Sequence, residues 1–282
     1  MKLWLNTLLP TLLPFLILTG FLLRTNGIET IFSPFAGFWR ALLGLSPFGA
    51  YVFFLGMLCG YPMGAKLASD LFSHGKIEKR EAEYLLTFTN QPSPAFLTTY
   101  LANVCFCQRF PTEKLFLILL LTDAVCMLFF RFLVFHGLTC SGIPSAKSSL
   151  KKETSAASLP ENSIDVSIMN GFETITRLGG YILLFSLISA CIRHYWKWPP
   201  RICGLLLGAM EITTGLHQIA LAGFPPEILY PVSIGLAAFG GFCILAQTRS
   251  VMDKRLSFLP YVCAKCLGAV IAAFFTLLLM GS

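Results

Sequence analysis

Charged side chains are scarce in this chain of 282 residues, where Asp, Glu, Lys and Arg together make up 12%. A soluble domain carries about 25% charged residues, because polar groups must cover the surface that water wets. Hydrophobic residues account for 55% of the chain, and 26 residues are phenylalanine. This composition excludes a soluble enzyme, a nucleic-acid-binding protein and a disordered protein. We therefore expect a surface that faces lipid.

Sequence patterns for catalysis and metal binding are also lacking. The chain contains no phosphate-binding loop, no His-Glu-x-x-His and no nucleophile elbow. Most of its ten cysteines lie within apolar runs, where a reduced cysteine behaves as a small hydrophobic residue. A single Cys-x-x-Cys at 263–266, with no second pair, is weak evidence for a metal site. We predict that the protein is not an enzyme and has no metal or cofactor.

Long apolar runs predict membrane crossings, since a spanning helix needs about 20 apolar residues. Six such runs lie at about 3–23, 84–106, 114–136, 172–192, 228–249 and 258–280. Two further apolar segments, 48–72 and 202–222, are rich in glycine and contain ionisable residues. We interpret these two as re-entrant or broken helices, because irregular backbone in a membrane needs surrounding protein or water. Eight ordinary crossings are the alternative interpretation.

The two halves of the chain carry similar patterns. The stretch Gly56-Met-Leu-Cys-Gly60 matches Gly204-Leu-Leu-Leu-Gly208 at an offset of 148 residues, and the same offset aligns Pro92-Ser93 with Gly240-Gly241. Each half has three full crossings, so the second half enters the membrane from the opposite side. The predicted fold is an all-α polytopic membrane protein with an inverted repeat. Chance is the alternative, because Gly-x-x-x-Gly is common where membrane helices pack.

A polar segment separates these halves. Residues 139–167 contain eight serines, two prolines and three lysines, a composition typical of a flexible linker. The predicted organisation is a first membrane repeat at 1–138, a basic Ser-rich linker at 139–170 and a second repeat at 171–282. The larger set of Lys and Arg residues in short loops, which includes this linker, is expected on the cytoplasmic side. This predicts a multi-pass cell-membrane protein with both termini outside the cytoplasm.

Glu211 is the strongest single candidate for function. It lies in Gly208-Ala-Met-Glu211-Ile-Thr213-Thr214-Gly215, and an ionised carboxylate at mid-membrane costs about 2.5–3.5 kcal/mol or more. Such a residue is retained where it faces a cavity, a partner or a ligand. We interpret it as a substrate-binding or proton-coupling carboxylate. A structural ion pair, for instance with Lys66, is the alternative.

Glycines and prolines predict breaks that expose backbone groups to a polar solute. In the first half, Lys66 supplies a charge near one break, and Asp70 is its simplest partner four residues later. The prolines in 84–106 leave Asn90, Gln91 and Ser93 beside a second break, although a kink used only for packing would look the same. The predicted break residues are Gly60, Pro62, Gly64, Pro92, Pro94, Gly208, Gly240 and Gly241. The other intramembrane charges, predicted to be structural, are Asp123, Arg131, Glu173, Arg177 and Lys265.

These stretches resemble the sporulation integral membrane protein family of endospore-forming bacteria, which contains the nucleoside recognition, or gate, domain. The resemblance covers about residues 3–280 and rests on Gly60-Tyr61-Pro62-x-Gly64-Ala65-Lys66, Asn90-x-Pro92-Ser93-Pro94, Gly208-x-x-Glu211-x-Thr213-x-Gly215 and Gly240-Gly241 with Gln247. It implies two re-entrant elements in a plan similar to that of concentrative nucleoside transporters, where two hairpins and two broken helices form the substrate site. The implied substrate-binding residues are Lys66, Asn90, Ser93, Glu211, Thr213 and Gln247.

The sequence therefore predicts a transporter or permease-like protein that acts in sporulation. Its solute is expected to be small, polar and mostly uncharged, with a nucleoside as the first candidate. The alternative is a non-transporting membrane factor in spore formation that recruits partners or holds the bundle together. The expected partners are the lipid bilayer and the solute but no nucleic acid, and a homo-oligomer is left open.

Overall fold

The computed structural model describes residues 9–24, 27–136 and 161–281, and no strand occurs within these ranges. The start of the first predicted crossing and residues 139–160 of the predicted linker lie outside the described residues. The helices are α1 Leu9–Arg24, α2 Gly27–Phe32, α3 Ala36–Leu43, α4 Pro47–Cys59, α5 Met63–Ser73, α6 Lys79–Leu86, α7 Thr112–Phe129, α8 Glu161–Tyr195, α9 Pro200–Met210, α10 Ile212–Leu221, α11 Pro226–Phe239, α12 Gly241–Val251 and α13 Leu259–Met280. A short 3₁₀ turn at Ser33–Phe35, a π-helix at Phe96–Cys105 and a π-type end to α7 at Phe130–Val134 complete the described helical structure.

Four helical stretches in the described part of the chain are long and apolar enough to cross a membrane. They are Thr112–Val134, Ile164–Tyr195, Pro226–Val251 and Leu259–Met280. Shorter apolar helices accompany them at Leu12–Leu23, Pro47–Cys59, Phe96–Cys105 and Pro200–Met210. The predicted class, a helical polytopic membrane protein, is consistent with this architecture. The number of crossings and the inverted repeat stay predictions.

The two glycine-rich segments each fold back on themselves as a helical hairpin. In the first hairpin, α4–α5, the chain turns at Gly60–Pro62, and a Cβ on Gly56 would lie 3.0 Å from the Cα of Gly64. In the second hairpin, α9–α10, Gly204 faces Ile219 and a Cβ on Gly215 would overlap the backbone of Gly208. Eight residues of continuous helix span about 12 Å, so such contacts require the chain to reverse.

Two further helices are interrupted near their middles. The first break covers residues 87–93, between α6 and the helical turn that begins at Pro94 and continues into the π-helix, and it contains Pro92. The second break separates α11 from α12, where Gly240 and Gly241 have φ values of +84° and +77°. Residues other than glycine rarely adopt this left-handed backbone conformation. The two adjacent glycines therefore permit a sharp break between α11 and α12.

Helix α6 is held in place by two buried carboxylates. Glu81 Oε1 accepts a hydrogen bond from the backbone N–H of Ser46 at 2.8 Å, at the start of α4. Glu83 Oε1 accepts one from the N–H of Ser257 at 2.7 Å, just before α13. Because N–H groups at helix starts have no partner within their own helix, these bonds both satisfy the N–H groups and join α6 to two other helices.

Helix α8 begins earlier than the sequence predicts. The segment 161–170, assigned to the linker, is helical and continues directly into the predicted crossing. The side chain of Ser167 lies 3.2 Å from the position of a Cβ on Gly20, and Gly171 is equally close to Ile17 of α1. Small residues allow α1 and α8 to approach closely, so Ser167 serves here as a packing residue.

Candidate functional site

The tips of the two hairpins meet at a single cavity of about 90 Å³. Pro62 contributes from the first hairpin, Glu211 and Thr213 contribute from the second, and Gln247 contributes from α12. The remaining wall is largely apolar and includes Leu12, Phe96, Ile175, Leu178, Ile182 and Ile244. The cavity thus combines residues from both halves of the chain.

The carboxylate of Glu211 caps the N-terminus of α10. Its Oε1 accepts the N–H of Thr213 at 2.9 Å, and its Oε2 accepts the N–H of Thr214 at 2.8 Å. The hydroxyl of Thr213 lies 2.8 Å from both carboxylate oxygens. Glu211 is only 4% exposed, so its carboxylate is largely removed from solvent. The partial positive charge at the N-terminus of α10 offsets the free-energy cost of this desolvation.

Each hairpin tip rests on the break in its own half. The N–H of Tyr61 donates to the carbonyl oxygen of Gln91 at 2.9 Å, and a Cβ on Gly60 would lie 2.6 Å from the N atom of Ser93. In the second half, a Cβ on Gly241 would lie 3.1 Å from the carbonyl oxygen of Ala209. The glycines are required at these points because another backbone occupies the space of a side chain.

Asn90 lies in a separate buried polar cluster. Its Nδ2 donates to the Thr248 hydroxyl at 3.1 Å and to the Tyr261 hydroxyl at 2.8 Å. These two hydroxyls are 3.1 Å apart, which closes a ring of three side chains. Asn90 does not line the cavity at Glu211, so its described contacts join the first break to α12 and α13.

Lys265, predicted from the sequence to be structural, lies in a second buried polar cluster. Its Nζ donates to Gln91 Oε1 at 3.0 Å and to the carbonyl oxygen of Ala238 at 3.0 Å. The carboxylate of Asp123 neighbours both Lys265 and the side chain of Gln91. The sequence signal for this cluster was a lysine inside the apolar run of α13, because placing such a charge in a membrane costs free energy unless it has polar partners.

Lys66 is not brought to the cavity at Glu211. Its Nζ pairs with both carboxylate oxygens of Asp70, at 2.5 and 2.6 Å. The pair faces another cavity, of about 60 Å³, that also contains His74 and Asn170. The predicted pairing of Lys66 with Asp70 is therefore confirmed, whereas Lys66 does not line the cavity at Glu211 and forms no ion pair with that residue. Asp70 lies one helical turn from Lys66 on the same helix, so this pair forms without any contact between distant parts of the chain.

Three other predicted residues have roles that differ from those expected. The hydroxyl of Ser93 accepts the N–H of Phe96 at 3.2 Å and so begins the π-helix. Gly64 lies inside α5, where Thr89 leaves no space for a Cβ. Gly208 lies inside α9, and the break comes at Glu211, because the capping carboxylate starts the next helix there.

The chain is similar to the sporulation integral membrane protein YlbJ of Bacillus subtilis (strain 168). The two are 25% identical over 322 residues, and the alignment covers 99% of this chain and 75% of that protein. No protein-family model matches the chain, and no solved structure matches it. Together with the apolar helices, this similarity supports a multi-pass integral membrane protein related to a sporulation protein. The nucleoside recognition domain and transport stay proposals.

Proposed function

We propose that this protein is a permease-like membrane protein that binds a small, polar, mostly uncharged solute between its two hairpin tips. The observation that supports this most strongly is the shared cavity, where Pro62 and Glu211 come from opposite halves of the chain. A few polar groups in an otherwise apolar cavity are typical of small-molecule sites. Paired interrupted helices also mark the substrate sites of inverted-repeat transporters.

The bonding of Glu211 favours a neutral hydrogen-bond donor as its ligand. An ionised carboxylate has about four lone-pair positions, and the described donors are the N–H of Thr213, its hydroxyl and the N–H of Thr214. One acceptor position is therefore available to an N–H or O–H of the solute. Because the end of α10 already offsets the negative charge, a cationic solute is not required.

Aromatic side chains beside the carboxylate suit a solute with a flat ring. Tyr61 and Phe96 line the cavity, and their ring centroids are 6.4 Å apart. The hydroxyl of Tyr61 is buried and has no hydrogen-bond partner among the described residues, and we propose that it gives the solute a second polar contact. These features support a nucleoside as the first candidate, in agreement with the family resemblance.

The size of the cavity implies that binding requires movement. Its volume of about 90 Å³ is below the roughly 300–1,000 Å³ of ordinary ligand pockets. A nucleoside would enter only if the hairpin tips separate, as expected for a site that is opened in turn to each side of the membrane. We further propose that this uptake serves spore formation, as the name of the relative suggests, and that both termini lie outside the cytoplasm.

Uptake into proteoliposomes tests this function. The purified protein should accumulate at least one labelled solute from a panel of nucleosides, nucleobases and small sugars, with saturation. Glu211→Gln should reduce that uptake at least tenfold, whereas Glu173→Gln, which alters an exposed ion pair on α8, should not. Normal uptake by Glu211→Gln would remove Glu211 from the mechanism, and no saturable uptake of any solute would contradict transport.

One observation favours the alternative, a structural factor in spore formation. The buried carboxylates of Glu81, Glu83 and Glu211 all accept hydrogen bonds from backbone N–H groups, as residues that only hold a bundle together would do. Deletion of residues 139–160 distinguishes the two functions. Failure of sporulation with unchanged uptake by the deletion variant would favour recruitment of a partner through this segment.

A further inference from the structure

The ammonium group of Lys265 lies where both interrupted helices meet. It donates to the side-chain oxygen of Gln91 in the first break and to the carbonyl oxygen of Ala238, each at 3.0 Å. Ala238 is the penultimate residue of α11, so its carbonyl belongs to the set that a helix end leaves without a helical partner. Lys265 itself is 2% exposed.

Two other elements contribute to the surroundings of this ammonium. Asp123 of α7 supplies a carboxylate, and its Oδ1 has no hydrogen-bond partner among the described residues. The rings of Tyr61 and Tyr261 lie with their centroids 5.6 and 5.9 Å from Nζ. Tyr61 stands at the tip of the first hairpin, so one cation contacts the hairpin tip and both breaks.

The ligands around Lys265 are those that transporters use for alkali cations. Carbonyl oxygens from unwound backbone and from the C-terminal ends of half-helices coordinate Na⁺ in many broken-helix transporters. Here an amide oxygen and a helix-end carbonyl accept hydrogen bonds from a primary ammonium, and the carboxylate of Asp123 acts on it electrostatically without a direct ion pair. The ammonium is covalently attached, so it occupies the place without the entropic cost of binding an ion.

We propose that Lys265 is a tethered cation, which joins the two broken helices in the way that a bound Na⁺ or K⁺ would. The fold then needs no free alkali cation at this place. Removing the side chain leaves an oxygen-lined space of negative potential, and a small monovalent cation should bind there and restore the contacts. This inference concerns the assembly of the breaks, and its test does not depend on transport.

Thermal unfolding of the purified protein in detergent tests the proposal. Melting temperatures are compared in NaCl, KCl and choline chloride at equal ionic strength. In choline, Lys265→Ala should melt roughly 5–10 °C below the wild type, because two buried oxygens lose their hydrogen-bond donor and a buried carboxylate loses a nearby positive charge. Increasing Na⁺ or K⁺ should raise that melting temperature to a plateau, whereas the wild type should not respond to the choice of cation.

Three control variants separate this effect from general salt stabilisation. Lys265→Met fills the space with an uncharged chain, so its melting temperature should be low and should not recover in Na⁺ or K⁺. Lys265→Ala combined with Asp123→Asn lacks the carboxylate and should lose the response to cations. Lys66→Ala removes an ammonium from the partly exposed pair with Asp70, and it should not acquire a cation response.

Several results would overturn the proposal. A saturable response of the wild type to Na⁺ or K⁺, or a Lys265→Ala variant that melts like the wild type in choline, would each do so. If Lys265→Ala is destabilised and its melting temperature does not change in Na⁺ or K⁺, Lys265 only makes packing contacts and the proposal is wrong. If this variant survives only in Na⁺ or K⁺ and aggregates on dialysis into choline, the proposal is supported. If no folded protein is obtained in either cation, the proposal fails.

Discussion

Glu211 and Pro62 line one cavity, although they come from opposite halves of the chain. Each stands where a hairpin reverses, and each hairpin tip contacts a broken helix of its own half. Contacts at the tips therefore couple the shape of the cavity to the position of both breaks. Substitutions at the hairpin tips should change solute binding. Substitutions of residues that join a break to a neighbouring helix should mainly change the stability of the protein.

The carboxylate cap on α10 should contribute measurably to stability. Glu211→Ala removes the acceptor of two backbone N–H groups, so we expect a loss of about 1–2 kcal/mol in the free energy of unfolding. Glu211→Gln keeps one side-chain oxygen and should lose less. Unfolding in detergent measures both, with Glu173→Ala, from an exposed pair, as a control that should change by under about 1 kcal/mol. Wild-type stability of Glu211→Ala would show that the carboxylate does not cap the helix.

Close packing in the second hairpin should make Gly215 intolerant of any side chain. A Cβ at this position would overlap the backbone of Gly208, so Gly215→Ala must separate α9 from α10 and should lower both stability and uptake. The matched control is Gly180→Ala in α8, where a Cβ meets nothing within 4 Å. That change should be neutral or stabilising by up to about 1 kcal/mol. Equal behaviour of the two variants in thermal unfolding would contradict the hairpin contact.

Interruptions in the helices were largely predictable from the sequence, because glycine and proline act on the backbone locally. Gly60, Pro62, Pro92 and Gly240 all lie at or next to a break in the structure. The position of the second-hairpin break was predicted only approximately, since its glycines pack helices together while a glutamate supplies the cap. In the sequence, a capping carboxylate in the middle of an apolar run cannot be distinguished from a carboxylate that binds a ligand.

Relationships between distant residues could not be predicted in the same way. Lys265 and Gln91 meet only because α13 packs beside the first break, and no local pattern indicates which helices are neighbours. The pair of Lys66 with Asp70 is local and was predicted from the spacing, whereas the distance of Lys66 from Glu211, to which resemblance had assigned it, depends on how the two halves pack. The serine at 167 was read as part of a linker, because composition does not distinguish a solvated serine from one that packs against a glycine.

The polar ring of Asn90, Thr248 and Tyr261 should behave as one unit. Asn90→Ala leaves two buried hydroxyls without their donor, and Tyr261→Phe removes one of its acceptors. Each single change should cost about 1–3 kcal/mol, and the double variant should cost less than their sum by roughly 0.5–3 kcal/mol. The control cycle pairs Asn90→Ala with Thr276→Val, whose hydroxyl bonds only within its own helix among the described contacts. Additivity in both cycles would rule out the coupling.

Gln247 and Lys66 provide the sharpest test of where the solute binds. Gln247 lines the cavity at Glu211, whereas Lys66 pairs with Asp70 beside a different cavity. We expect Gln247→Ala to raise the KM for uptake up to about tenfold, because one hydrogen bond of about 1.4 kcal/mol corresponds to that factor. Lys66→Ala should stay within about twofold of the wild type. If Lys66→Ala abolishes uptake and Gln247→Ala does not affect it, the solute binds beside Asp70 and the assignment of the cavity at Glu211 is wrong.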